Sequence, residues 1–378
     1  MYIERLLEPA IKSHLFKQKA LIIYGARQVG KTTLVKKILA DLNIPSKYLN
    51  CDEMDIQNAL REAETSAALK QLIGESKLVI IDEAQRIKNI GLKLKLLIDN
   101  FTDIQIIATG SSSLDLANEI TEPLTGRSVE FWLYQLSIKE LLKKNDKIEM
   151  SRNLENYLIY GMYPTVAQAK SSSEKSENIK YLASNYLYKD ILKVNNLKNS
   201  EIITKLLTAL ALQIGNEVSY SELSNLVGTS KQSISEYIDL LEKVFVIFRL
   251  QPFSRNLRKE IAKSRKIYFY DLGIRNALIN NQNPLSLRGD TRQLWENFVI
   301  AEKIKTQFWL MNRSNLYFWR TYDQQEIDLI EEKDGKLQAF EIKYKATKKV
   351  KCPIAWKNAY RDSEWKVIDK DNFWETLD

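Results

Sequence analysis

The sequence predicts an α/β fold whose first part is a mostly parallel sheet covered by helices on both faces. Three observations predict it. Apolar runs of strand length recur at Ala20–Tyr24, 47–50, 78–81, 105–108 and 129–133, and helical periodicity fills the intervals between them. The first run ends in a glycine-rich turn, Gly25-Ala26-Arg27-Gln28-Val29-Gly30-Lys31-Thr32-Thr33. The third delivers two acids, Asp82 and Glu83, at its carboxyl end, where open parallel sheets place their ligands.

The turn matches G-x-x-x-x-G-K-[ST], in which backbone N–H groups and a helix N-terminus cradle phosphates. The lysine of this pattern reaches the β/γ oxygens and the hydroxyl holds magnesium. Leu34, Val35, Ile38 and Leu39 recur at helical spacing after the turn, so strand, loop and helix follow in the order this chemistry requires. Gly25 to Thr33 therefore reads as a nucleoside triphosphate site, with Lys31 on the phosphates and Thr32 on magnesium.

Hydrolysis needs carboxylates as well. Asp82 is assigned to the magnesium shell and Glu83 to the attacking water. The next strand runs out through Ala108-Thr109-Gly110-Ser111-Ser112, where Ser111 is either a sensor of the terminal phosphate or a helix cap. Arg127 precedes the last strand of this region. By spacing alone it is a surface arginine; in a catalytic reading it offsets charge on the transferred phosphoryl group.

Composition bounds the remaining chemistry. With 44% hydrophobic and 28% charged residues, the chain is globular rather than disordered. No apolar run approaches the ~18 residues of a membrane span, and the first residues lack a signal-peptide core. A cytoplasmic location with no membrane partner is the expectation. The single histidine, His14, excludes zinc clusters and His-based triads. Cys51 and Cys352 read as reduced thiols. Catalysis must run on carboxylates, lysines, hydroxyls and a hard metal. The net charge of +8 is compatible with nucleic acid.

Ser137-Ile138-Lys139-Glu140 is a capping box that opens a helical lid or linker over 137–210. It is interrupted by Gly161-Met162-Tyr163-Pro164 and by a polar linker at 170–178. Two short helices around the turn Val227-Gly228-Thr229-Ser230 come next, the second over 231–241. Apolar strands at 244–250 and 267–270 complete a winged helix-turn-helix pattern over 211–285. Lys231 and Gln232 open the second helix. The loop between the strands carries Arg255, Arg258, Lys259, Lys263, Arg265 and Lys266 against one acid, Glu260. That bias favours phosphate contact and hence DNA, with protein docking as the alternative.

The last region, 286–378, opens with a helix from Thr291 and continues with strands around Phe318, Asp328 and Glu341. Side chains alternate on a strand, so Glu341 and Lys343 share one face. Adjacent strands bringing them to Asp328, with Glu296 on the preceding helix, would form the D…E-x-K site of a PD-(D/E)xK-like α/β domain. There Asp328 and Glu341 would hold a second magnesium while Lys343 activates water. A domain that keeps the fold and only binds its ligand is the alternative.

Taken together, residues 25–33, Ile81-Asp82-Glu83-Ala84-Gln85, Thr109-Gly110-Ser111-Ser112 and Leu124-Thr125-Gly126-Arg127 resemble the prokaryotic AAA-type, archaeal-ATPase-like P-loop ATPases. Gly161–Pro164, Tyr188-Lys189-Asp190 and Tyr270-Asp271-Leu272-Gly273 extend the resemblance into the C-terminal region. There Glu296, Trp319-Arg320, Asp328, Glu341 and Lys343 match a restriction-endonuclease-like domain of unknown function. The resemblance implies ATP and magnesium, an AAA-type core (1–136), a helical segment (137–210), a winged-helix middle (211–285) and a nuclease-like end (286–378). It also implies that Arg127 offsets charge, acting between copies of a homo-oligomer. The expected function is coupling of Mg-ATP hydrolysis to action on DNA. An ATP-gated nuclease and a nucleotide-dependent scaffold for a protein partner are the rivals.

Overall fold

The computed structural model describes residues 2–111, 123–187, 200–255, 265–309, 314–346 and 350–376. The chain divides into two units, one of residues 1–136 with 243–245, the other of 137–242 with 246–378.

The first unit is built on five parallel strands: β1 (Ala20–Tyr24), β2 (Ser46–Asn50), β3 (Leu78–Asp82), β4 (Gln105–Gly110) and β5 (Ser128–Trp132). Their order across the sheet is β2-β3-β4-β1-β5. Every residue of β1, β3 and β4 is buried, as expected of unbroken apolar runs covered on both faces. The register places Tyr24 opposite Gly110 and Ile81 opposite Ala108. The loops after β1, β3 and β4 therefore leave from one edge of the sheet. Ala20 lies opposite Ser128, so the segment entering β5 sits at the other edge.

In the second unit, the helix Lys147–Tyr160 packs against the short helix Leu272–Leu278. Their joint explains two motifs that the sequence shows far apart. The buried Asp271 carboxylate caps the second helix by accepting from Ile274 N at 3.1 Å. Its other oxygen accepts from Met162 N at 2.7 Å. The Asn276 side chain donates to the Leu158 and Ile159 carbonyls, both at 2.9 Å. Gly273 lies so close to the end of the first helix that a Cβ there would fall 1.9 Å from Tyr160 O.

Helices Ser200–Leu212, Tyr220–Val227 and Lys231–Lys243 come next. They lead into an antiparallel hairpin, β6 (Ile247–Pro252) and β7 (Lys266–Phe269). The strand expected from residue 244 begins three residues later. Val246 N donates to Leu241 O and Phe245 takes a left-handed φ of 61°, so the chain reverses before it extends. The other edge of β6 pairs in parallel with β8 (Asn315–Arg320), Gln251 opposite Tyr317. Strands β9 (Glu326–Lys333), β10 (Lys336–Ile342) and β11 (Glu364–Ile368) complete a six-stranded sheet in the order β11-β10-β9-β8-β6-β7. The hairpin is thus continuous with the last strands of the chain, and the sheet spans residue 285. Phe253, Trp319, Ile327, Leu337 and Trp356 pack in one core of this unit. Among the described residues, no helix is long and apolar enough to cross a membrane.

Candidate functional site

One edge of the parallel sheet gathers the residues that the sequence singles out. Gly25 follows β1 with its Cα almost against the backbone, since a Cβ would lie 2.1 Å from Leu133 O. Ala26 and Val29 are buried, Arg27 is half-buried, and Gln28 is exposed at the loop tip with a left-handed φ of 59°. Gly30 precedes the helix Lys31–Leu42 as its N-cap residue. The buried Lys31 ammonium donates to Gly25 O at 2.8 Å and to Ala26 O at 3.0 Å. It therefore folds back on the loop, over the hollow where phosphates bind in such turns.

Behind the loop, the two assigned magnesium ligands meet. Thr32 Oγ1 donates to Asp82 Oδ2 at 2.8 Å, and Tyr48 Oη donates to the same oxygen at 2.6 Å. Thr109 donates its hydroxyl proton to the other carboxylate oxygen. Burial and this hydrogen bond raise the Tyr48 phenol above its ordinary pKa, keeping it a donor. Burial, with the Asp82 charge adding to it, pushes the Cys51 thiol up to about 12, so it is no nucleophile at neutral pH. A hydroxyl beside a carboxylate is a hard-oxygen set that suits magnesium, which takes one or two protein ligands and completes its shell with phosphates and water.

Glu83 follows with a left-handed φ of 55° and its N–H on Thr109 Oγ1 at 3.1 Å. Its carboxylate accepts from Gln85 Nε2 at 2.6 Å, and that amide also reaches Ser111 Oγ at 3.0 Å. Glu83 and Ser111 thus share one amide bridge beyond the strand ends. Ser112 lies outside the described residues, and Thr33 sits in the first turn of the helix after the loop.

Arg127 is elsewhere. Its carbonyl accepts from Ala20 N, at the start of β1, and its guanidinium pairs with Asp99 at 2.7 Å. That is the opposite edge of the sheet from Gly25, a full strand length away. Within its own chain Arg127 cannot reach the phosphate loop.

One residue that local patterns missed is Arg5. Its buried guanidinium donates to Val29 O at 2.6 Å and to Tyr134 O at 2.6 Å. In a trans peptide the C=O and the following N–H point in opposite directions. Holding Val29 O on Arg5 therefore aims the Gly30 N–H away from Arg5. An isolated arginine 20 residues before the loop leaves no signature in the sequence. Arg5→Ala is expected to raise the KM for ATP about tenfold, a loss of about 1.4 kcal/mol in binding. An ATP titration of turnover would check this, and an unchanged KM would refute the role.

The second unit holds two further sets. Lys231 and Gln232, at the start of helix Lys231–Lys243, line a groove of ≈ 1060 Å³ together with Arg265, Tyr220 and Ser235. The Arg265 guanidinium lies over the Tyr220 ring, 5.3 Å from its centroid. Arg255 instead pairs with Glu332 at 2.5 Å. Arg258, Lys259 and Lys263 lie outside the described residues.

The other set surrounds β9 and β10. These strands are antiparallel with Phe340 opposite Leu329, and one step further Glu341 faces Asp328 across the ladder. Asp328 Oδ2 accepts from Ile342 N at 2.8 Å, and Lys343 binds the Glu341 carboxylate. Burial, then the Asp328 charge, raises the Glu341 pKa. Glu296, from the helix Thr291–Trp309, is buried. It pairs not with these acids but with Lys266 at 3.2 Å and with Tyr268 Oη at 2.6 Å. Burial works against the Lys266 charge, yet Glu296, Glu326 and Asp328 outweigh it and hold its pKa above the ordinary value.

Comparison with known proteins bears on the first set. The AAA domain family matches residues 17–142. Two domains of unknown function, DUF8612 and DUF4143, match residues 151–285 and 292–371. An uncharacterised protein of Mycobacterium tuberculosis is 27% identical over 340 residues, which is 89% of this chain and 73% of that one. One from Methanocaldococcus jannaschii is 30% identical over 302 residues, 69% of this chain and 63% of its own. Among solved structures, a Walker-type ATPase of Pyrococcus abyssi is similar with a TM-score of 0.51 at 16% identity, over 74% of this chain and 96% of that one. At that identity the likeness speaks to fold alone. The loop, its acids and the family match agree: residues 17–142 form an AAA-type P-loop ATPase core that binds nucleotide.

Proposed function

We propose that this protein hydrolyses Mg-ATP and couples the cycle to duplex DNA held in the groove between the Lys231–Lys243 helix and the β6–β7 hairpin. The observation that carries the ATPase half is the Thr32–Asp82 contact beneath the Lys31 loop. When bound, magnesium supplies charge that offsets the developing negative charge on the phosphates. Thr32 and Asp82 would hold it. Lys31 would exchange the Gly25 and Ala26 carbonyls for phosphate oxygens, keeping its hydrogen bonds satisfied. Glu83, steadied by Gln85, would orient the attacking water, and Ser111 would report the terminal phosphate through the same amide. Arg127 fits only as a residue offered to another copy of the chain, which makes a homo-oligomer part of this proposal.

For the DNA half, the support is the groove itself. Two helices joined by a tight turn, followed by a hairpin, have the order of a winged helix-turn-helix. Lys231 and Arg265 both line it, where a phosphate backbone would run. Tyr220 and Gln232 add a flat ring and an amide. Each cation placed on a phosphate releases counterions, so affinity should fall steeply with salt. The double variant Lys231→Ala/Arg265→Ala is expected to weaken duplex binding on every sequence and to lower the slope of log K against log salt by about two. Fluorescence anisotropy at several salt concentrations measures both. A wild type with no salt-sensitive affinity would favour the protein-scaffold reading instead.

A further inference from the structure

Lys266 is the first residue of β7, next to Arg265 of the groove. The sequence counts both as members of one basic loop, but their surroundings differ. The Lys266 side chain is only 3% exposed. Its ammonium lies 3.2 Å from Glu296 Oε1 and 2.5 Å from Glu326 Oε1, above the Phe318 ring at 5.5 Å. Tyr268 donates to the same Glu296 oxygen.

The neighbouring acids are engaged too. Asp328 accepts from the backbone of Ile342, and Glu341 is bound by Lys343. Glu326 also has the Arg320 guanidinium at 4.0 Å. Among the described residues, no three metal-ligating side chains converge on a point. A nuclease of the D…E-x-K type needs carboxylates free to coordinate a divalent ion. Here a buried ammonium already supplies the positive charge, and a metal entering beside it would meet like charge in a poorly screened interior. The donor set therefore does not fit a bound magnesium while Lys266 stays in place.

We propose that Lys266 is a tethered cation that takes the place of a divalent metal beside Glu296, Glu326 and Asp328 and keeps this unit closed to metal. On this proposal the nuclease-like carboxylates are present, but their counter-ion is part of the chain. Removing the ammonium should leave a carboxylate-lined cavity that attracts a divalent ion.

The test uses nucleotide-free, full-length protein and Mn²⁺ as the probe, with binding read by the electron paramagnetic resonance of free Mn²⁺ and by thermal unfolding. The wild type is expected to show no saturable Mn²⁺ site that Asp328→Asn removes. Lys266→Met should gain one, with a Tm that rises with Mn²⁺, and both gains should vanish in Lys266→Met/Asp328→Asn. A wild-type Mn²⁺ site that depends on Asp328 would overturn the proposal, as would folded Lys266→Met that binds no Mn²⁺. Should Lys266→Met fail to fold, Lys266→Gln retains a hydrogen-bonding head, and the wild-type measurement decides by itself.

Discussion

Lys31→Ala is expected to lower kcat/KM for ATP hydrolysis by about 10³-fold, roughly 4 kcal/mol of transition-state stabilisation. The side chain is buried in the loop, where it donates to two loop carbonyls, so it is poised to transfer its charge to a phosphate. Alanine leaves those carbonyls facing the phosphate hollow with no cation between. Phosphate release under saturating ATP gives the rate, and far-ultraviolet circular dichroism establishes that the variant is folded. Turnover within a few-fold of wild type in a folded variant would sink the ATPase assignment.

Gly273→Ala is expected to destabilise the second unit by more than about 4 kcal/mol, beyond the ordinary range for a single methyl group. The added Cβ would lie 1.9 Å from Tyr160 O and 2.9 Å from Gly161 N. Both are backbone atoms, so no side-chain rotation relieves the overlap. Relief requires separating the Lys147–Tyr160 helix from the Leu272–Leu278 helix, which would break the Asp271–Met162 and Asn276–Leu158 hydrogen bonds. Gly289 is the control. No heavy atom lies within 4 Å of a Cβ built there, and alanine should stay within about 0.5 kcal/mol of wild type. Urea unfolding of the two variants separates the cases; equal midpoints would show that the joint is not as tight as its geometry.

The nucleotide site was legible because its chemistry is local. Gly25 to Thr33 is one continuous loop, and Asp82-Glu83 is one strand end, so spacing along the chain equals arrangement in space. Arg5 was invisible for the opposite reason, since it acts on Val29 and Tyr134 across 24 and 129 residues. Arg127 reads as a surface arginine by spacing, and only the resemblance makes it a charge-offsetting residue acting between copies. The parallel register then carried it to the far edge. Lys266 and Arg265 are adjacent and chemically alike in the sequence, but alternation along a strand sends neighbouring side chains in opposite directions. One lines the groove and the other enters the core.

What the sequence determined by itself was the α/β class of the first unit, the phosphate loop with its acids, and the two helices around the Gly228 turn. Each rests on hydrogen-bond geometry or apolar periodicity within about a dozen consecutive residues. Only tertiary structure decided that β6 joins β8 in one sheet, that Arg127 stands apart from its own loop, and that a lysine fills the carboxylate cluster. Those outcomes depend on strand pairing and burial between residues tens of positions apart, where the free energy lies in contacts that no local pattern records.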